Sequence, residues 1–405
     1  MEKAASTSRM MGAILMVAGT TIGAGMLALP ITSVSIGFFN SVWLLVSLWF
    51  LMCFTALVTL EINLRLRKTS SEAGISMAGL ADQSFGKGGR WIASVSLMIL
   101  FYALLAAYIT GGSSLIKAGL DSRVEGNISF PTVALCFTVF LGALINWHVQ
   151  AVDYANRFFF TSKIVLFLLM VCFLAPFIRI QNLMHSYENV SAFAVAVPIF
   201  FSSFGFHGSI PALINYIGPH PRSLRLVLLI GSFIPLIVYL IWQTVTLGVL
   251  PLDVAQEAIA TQDLAVFIHH LNQISQFPLL FLATSLFTFL AIVTSFLGVA
   301  LGLFEAVAET LRWPIQTQIQ RLKVSLLTFL PPLFFALFYH NGFIIALGYA
   351  AIGLSFLAVL MPVAIAFRER SRTTSAYQAA GGYLGLMVAF AVGILVIVFE
   401  IMNRF

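Results

Sequence analysis

The chain has 405 residues, of which 60% are apolar and only 9% charged, against about 45–50% and about 25% in an ordinary soluble domain. At a mean hydropathy of +1.00, so few charges cannot cover a water-soluble globule of this size, which excludes soluble enzymes, nucleic-acid-binding proteins and disordered chains. The net charge of +6 collects in short loops rather than on a nucleic-acid-binding face. A membrane-spanning helix needs about 20 residues, so the apolar content bounds the spans at roughly eleven or twelve.

The opening MEKAASTSR is followed by an apolar run longer than a signal-peptide core, with no A-x-A-like cleavage site, and is read as a retained first span. Apolar runs between polar breaks then predict spans at 10–36, 41–64, 91–119, 131–147, 157–178, 190–217, 223–250, 277–305, 322–338, 342–366 and 380–400. Cys53, Cys136 and Cys172 lie inside these runs, at spacings that imply neither a metal site nor a disulfide framework. Seventeen Lys and Arg, from Lys3 and Arg9 to Arg370 and Arg372, fall on the N-terminal side of the membrane. Only Lys117, Arg123, Arg179 and Arg404 fall on the other. The positive-inside rule therefore predicts a cytoplasmic N-terminus and, with eleven spans, an external C-terminus.

Adding roughly 185 to the starts of the first five spans lands near the starts of the next five. A hairpin follows the first span of each half (37–40; 218–222), and a longer polar segment follows the second (65–90; 251–276). Five is odd, so the second copy enters inverted. This predicts a first repeat over 10–178, an inverted second repeat over 190–366, and an additional helix over 380–400, an architecture of secondary transporters. Segment 251–276 carries Asp253, Glu257, Asp263, His269 and His270 but no Lys or Arg, with partly helical apolar spacing. It reads as an external helical loop, either a lid or a passive surface segment.

The first span contains GTTIGAGMLALP at 19–30. Gly19, Gly23 and Gly25 each cost a helix about 1 kcal/mol relative to alanine, and Thr20 and Thr21 stand between them. A break here frees backbone groups at membrane depth, tolerable where they line a polar cavity. The positive end of the following half-helix, near Ala24 and Gly25, suits a carboxylate. Close helix packing through small residues is the competing explanation. The sixth span carries PIFFSSFGFHGSIPAL at 198–213, where Gly205, Gly208 and Pro211 predict a second interruption at the corresponding place. Two interruptions at matching positions point to a transporter binding site.

His207 is the one histidine of seven at mid-span depth. It reads either as functional or as a neutral ring satisfied by a hydroxyl. Phe201, Phe204 and Phe206 beside it would make an aromatic wall suited to an aromatic ligand. Lys163, in NRFFFTSKIVL (156–166), either points inward or snorkels to the interface. Thr294 and Ser295, in TSFLGVALGLFE (294–305), offer hydroxyls to an ammonium or a sodium ion. A lysine beside them would supply a fixed charge where sodium otherwise binds, favouring proton coupling. Glu61 and Glu305 lie near helix ends and read as gate or interface charges.

These motifs, with TFLPPLFFALFYHNGFIIALGYA (328–350), resemble the hydroxy and aromatic amino acid permeases of the amino acid–polyamine–organocation superfamily, from about residue 10 to the eleventh span. The resemblance implies an all-α membrane protein of LeuT type with eleven spans, the first and sixth broken. It also implies import of an aromatic amino acid, tyrosine foremost, with protons across the bacterial inner membrane. It places the substrate carboxylate at Gly23, Ala24 and Gly25, and the ammonium near carbonyls of Thr20, Thr21, Phe201 and Phe204. Phe201 would gate the pocket, with Ser202 and His207 completing it. Tyr102 or Tyr108 would line the side-chain pocket, and Lys163 would occupy a sodium-site equivalent opposite Thr294 and Ser295. No cofactor or metal is implied. Rival readings are a permease for tryptophan, phenylalanine or serine, sodium coupling, a channel, or an intramembrane enzyme. A channel would line its pore with charged or carbonyl rings, and a single chain with an inverted repeat fits alternating access better, while an intramembrane enzyme needs a catalytic constellation that the sequence does not offer.

Overall fold

The computed structural model describes residues 7–67, 74–121, 128–147, 149–184, 190–251, 261, 263–274, 278–311, 313, 316–372 and 377–404. Lys3, Lys68, Arg123 and Arg312, and Asp253 and Glu257 of the expected external loop, lie outside these residues. Among the described residues the ordered elements are helical. Among these residues eight helical runs are long and apolar enough to cross a membrane, Ala192–Ile217 and Phe343–Arg370 each counted as one across its irregular turn, and the pair α1 (Thr7–Thr21) and α2 (Gly25–Ser33), bent by 53°, passes the same test together.

The chain continues through α3 (Phe38–Leu66) and the 45-residue α4 (Met77–Asp121), which turns at Gly86. Only a glycine adopts the φ of +71° found there without strain. Next come α5 (Phe130–Trp147), α6 (Val149–Leu174) and the short α7 (Ile180–Met184). The apolar stretches Phe130–Ile145 and Thr161–Phe177, on the expected fourth and fifth spans, are the two shorter ones. Helix α8 (Val190–Ser202) stops before a non-helical stretch at 203–206, a 3-10 turn (His207–Ser209) and α9 (Ile210–Ile217). The remainder is α10 (Pro221–Val249), α11 (Leu264–Gln273), α12 (Pro278–Leu311), α13 (Gln318–Phe338), α14 (Phe343–Ser355), α15 (Met361–Arg370) and α16 (Gly382–Met402). One π turn, Phe356–Leu360, joins α14 to α15.

The exterior is apolar. Trp43, Phe50, Phe140, Phe334 and Leu384 are all more than 60% exposed, as lipid-facing side chains are and water-facing ones rarely are. Polar groups point inward, to Ser33, Thr55, Lys163, His207 and Gln243. Helix α4 packs against α12 and α14, while α10 packs against α1, α2 and α3. This arrangement brings α1–α2 into the interior beside α8 and α10. Within the segment expected as an external loop, the described residues include α11. Asp263 caps it by accepting from the Ala265 amide (2.8 Å) and also accepts from Ser114 Oγ of α4 (2.6 Å).

One end of the bundle holds a buried charge cluster. Glu61 of α3 is fully buried. Its Oε1 accepts from Arg65 Nε (2.9 Å) and Arg370 Nε (3.0 Å), and its Oε2 accepts from Arg370 Nη2 (2.6 Å) and the Ala379 amide (2.9 Å). Arg370 Nη1 donates to Gly382 O (2.9 Å). Helices α3 and α15 and the segment leading into α16 are thus tied through one carboxylate. Removing one member of a buried ion pair leaves its partner charged and unsatisfied, at a cost of about 3–5 kcal/mol. Glu61→Ala is therefore expected to destabilise the purified protein by about that amount, seen as a lower thermal midpoint in detergent. A midpoint equal to the wild type would show the cluster to be solvated.

Candidate functional site

The site is built on the first interruption. Glycines 23 and 25 leave the helix after Thr21 without its regular ladder, and α2 restarts through weak bonds from Met26 N to Gly23 O (3.3 Å) and Leu27 N to Ala24 O (3.1 Å). A backbone opened inside an apolar bundle must find other partners. It finds them on three separate helices. Lys163 Nζ of α6 donates to Ile22 O (2.9 Å) and to Thr294 Oγ1 (3.3 Å). Ser295 Oγ of α12 accepts from the Ala24 amide (3.0 Å). The Tyr239 hydroxyl of α10 lies 2.7 Å from Thr21 O.

The second interruption lies against the first. A Cβ on Gly25 would sit 3.5 Å from Ser203 Cα, ordinary van der Waals contact. The Tyr239 hydroxyl is also 2.8 Å from Ser203 O, so one phenol proton is shared between a carbonyl of each interruption. The Tyr239 ring packs on Phe204, with centroids 5.2 Å apart. One turn along α10, Trp242 Nε1 donates to Met26 O (3.0 Å), and Gln243 Nε2 donates to Ser33 Oγ. Helix α10 therefore grips α2 along its length.

The residues singled out from the sequence divide as follows. Gly23, Ala24, Gly25, Lys163, Thr294 and Ser295 come together at the first interruption. Lys163 is 3% exposed and points inward rather than snorkelling. Phe201 and Phe204 are fully buried at the second interruption. The hydroxyls of Thr20, Thr21 and Ser202 fold back onto carbonyls of their own helices, those of Val17, Val17 and Ile199. Tyr108 is buried near Ser295. Tyr102 is not brought to the interruptions; its hydroxyl donates to Leu327 O of α13 (2.9 Å). His207 follows the second interruption, buried, with Nε2 2.9 Å from Thr55 Oγ1 of α3. Sequence reasoning missed Tyr239, Trp242 and Thr55. An aromatic ring with a polar tip inside an apolar run was the available signal for the first two.

A cavity of about 650 Å³ lies elsewhere, among α4, α5, α6 and α12, lined by Ile116, Phe137, Phe140, Phe159 and Phe289 among others. Its wall is almost wholly apolar and includes none of the interruption residues. Among the described residues no group of three His, Cys, Asp or Glu side chains could hold a metal ion.

An apolar bundle whose polar groups converge on two opened helices defines an integral membrane protein with a polar interior, the class that includes permeases. The chain belongs to the tryptophan/tyrosine permease family, whose model matches residues 6–400. Two similar proteins of Haemophilus influenzae are tyrosine-specific transport systems 1 and 2. The first is 40% identical, with 96% of each chain covered, and the second 36%, with 95% of this chain and 94% of the other covered. The tryptophan-specific transport protein of Pseudomonas aeruginosa is 32% identical over 95% of this chain and 92% of its own.

Ser295 and Gly23 give a test of the first interruption. A Cβ on Gly23 would lie 2.5 Å from Ser295 Oγ, so Gly23→Ala drives that hydroxyl off the Ala24 amide. Leaving a buried amide unpaired costs about 1–3 kcal/mol. Gly23→Ala and Ser295→Ala should each lose stability by about that amount, and the double variant should lose little more than either, because both remove the same bond. Gly25→Ala, with room for its methyl, should be milder. Additive losses in thermal unfolding would separate Gly23 from Ser295.

Proposed function

We propose that the protein is a secondary active transporter that imports an aromatic amino acid, L-tyrosine foremost, with protons by alternating access. In this reading the chain has the LeuT-type architecture of eleven spans. Residues 10–178 and 190–366 are inverted repeats, with the helix over 380–400 additional. The N-terminus is cytoplasmic and the C-terminus periplasmic in a bacterial inner membrane. The observation that carries the reading is the Lys163 ammonium on the Ile22 carbonyl, at the opened segment that abuts the second interruption. A cation is needed where a broken helix exposes carbonyls, and here a side chain supplies it, which supports coupling by protons rather than by sodium.

The substrate carboxylate is assigned to the backbone of Gly23, Ala24 and Gly25, at the start of the half-helix α2. Its ammonium is assigned to carbonyls of Thr20, Thr21, Phe201 and Phe204, with Phe201 as gate and Ser202, Tyr108 and His207 around the side chain. Thr294 and Ser295 serve the coupling lysine. Tyr102, bonded to α13, contributes to the side-chain pocket only if α13 moves. Tryptophan is the second reading, because tryptophan-specific transport proteins stand among the similar chains.

If Lys163 loses and regains its proton in each cycle, Lys163→Gln should retain substrate exchange in proteoliposomes and lose accumulation driven by a pH gradient. Sodium should not affect the wild type. His207→Gln, assayed beside it, isolates the competing proton carrier. Accumulation that survives in Lys163→Gln and vanishes in His207→Gln would make the lysine structural.

A further inference from the structure

We propose that His207 selects a hydroxyl-bearing aromatic substrate by accepting the hydrogen bond of its phenol at Nδ1, a role that rests on the amino acid transport reading above. The assignment begins with Thr55. Its hydroxyl lies 3.2 Å from Met52 O, a carbonyl that can only accept, so its single proton is engaged there. Thr55 Oγ1 lies 2.9 Å from His207 Nε2, and with its own proton on Met52 O it takes that contact as acceptor from an Nε2–H tautomer. A neutral imidazole with its proton on Nε2 presents Nδ1 as an acceptor. That Nδ1 is buried and has no hydrogen-bond partner among the described residues.

The surroundings suit an aromatic ligand with one donor. Phe206 stacks near the imidazole at 5.0 Å, with the planes 30° apart, and Phe201 and Phe204 lie immediately before it, fully buried. Gly205 and Gly208 are exposed in a segment whose aromatic side chains are buried, and a Cβ on Gly208 would meet nothing within 4 Å. The acceptor is closed to solvent here, so a ligand reaches it in a complex that forms around the ring. Discrimination then follows from asymmetry. A phenol satisfies Nδ1, whereas phenylalanine buries against it and leaves the orphan in place.

The test is counterflow in proteoliposomes holding the full chain, with labelled L-tyrosine and L-phenylalanine, for the wild type, His207→Leu and His207→Asn. Leucine keeps volume and removes the acceptor; it should raise the KM for tyrosine about tenfold or more and that for phenylalanine much less, so that the preference for tyrosine falls. Asparagine carries Oδ1 near the place of Nδ1 and should restore the preference for tyrosine. Equal weakening of both substrates in His207→Leu, or an undiminished preference for tyrosine, overturns the proposal while leaving the transport reading intact. Should His207→Leu not fold, Thr55→Val replaces it. Loss of the hydroxyl that sets the tautomer should lower the tyrosine preference alone, and an unchanged preference there overturns the proposal. A wild type that exchanges no aromatic amino acid overturns the parent reading itself.

Discussion

The interior of this protein depends on the backbone opened at residues 22–24. A helix in an apolar bundle satisfies its own amides and carbonyls, and an opening leaves them without water to turn to. Here the carbonyls of Thr21 and Ile22 and the amide of Ala24 are met by Tyr239, Lys163 and Ser295, from α10, α6 and α12. Each of those helices is thereby fixed to the same few atoms. Helices distant in sequence are held in one arrangement, and the polar chemistry of the chain is concentrated where they meet.

Much of this was visible in the chain. Glycines and threonines at 19–25 predicted the first interruption and Gly205 and Gly208 the second, and the helices open at 22–24 and 203–206. Apolar runs foretold an all-helical membrane protein, and the family resemblance holds along residues 6–400. Direction was not visible. Lys163 stands where either snorkelling or inward burial satisfies its stem, and only the position of Ile22 O decides between them. Tyr102 and Tyr108 share a helix and a residue type, yet one reaches α13 and the other lies near Ser295. Tyr239 and Trp242 sit in an apolar run whose composition does not distinguish lipid-facing rings from interior ones. For His207, the hydroxyl foreseen as a satisfying partner exists as Thr55, but it serves only one of the two ring nitrogens.

Two of the buried charged residues, Glu61 and Lys163, have different surroundings. Glu61 is surrounded by donors from two arginines and a backbone amide, so its charge is balanced within a rigid cluster. Lys163 meets neutral oxygens, a carbonyl and a hydroxyl, each offering only a partial charge. A fully compensated ion holds structure together.

The shared proton of Tyr239 has a mechanical meaning. Two separate hydrogen bonds between the opened segments would have to rupture before the segments could slip past one another. A single hydroxyl lying 2.7 Å from one carbonyl and 2.8 Å from the other can rotate from one to the other, exchanging an acceptor without an interval of none. The joint behaves as a bearing rather than a weld. It ties the two segments through one atom rather than two.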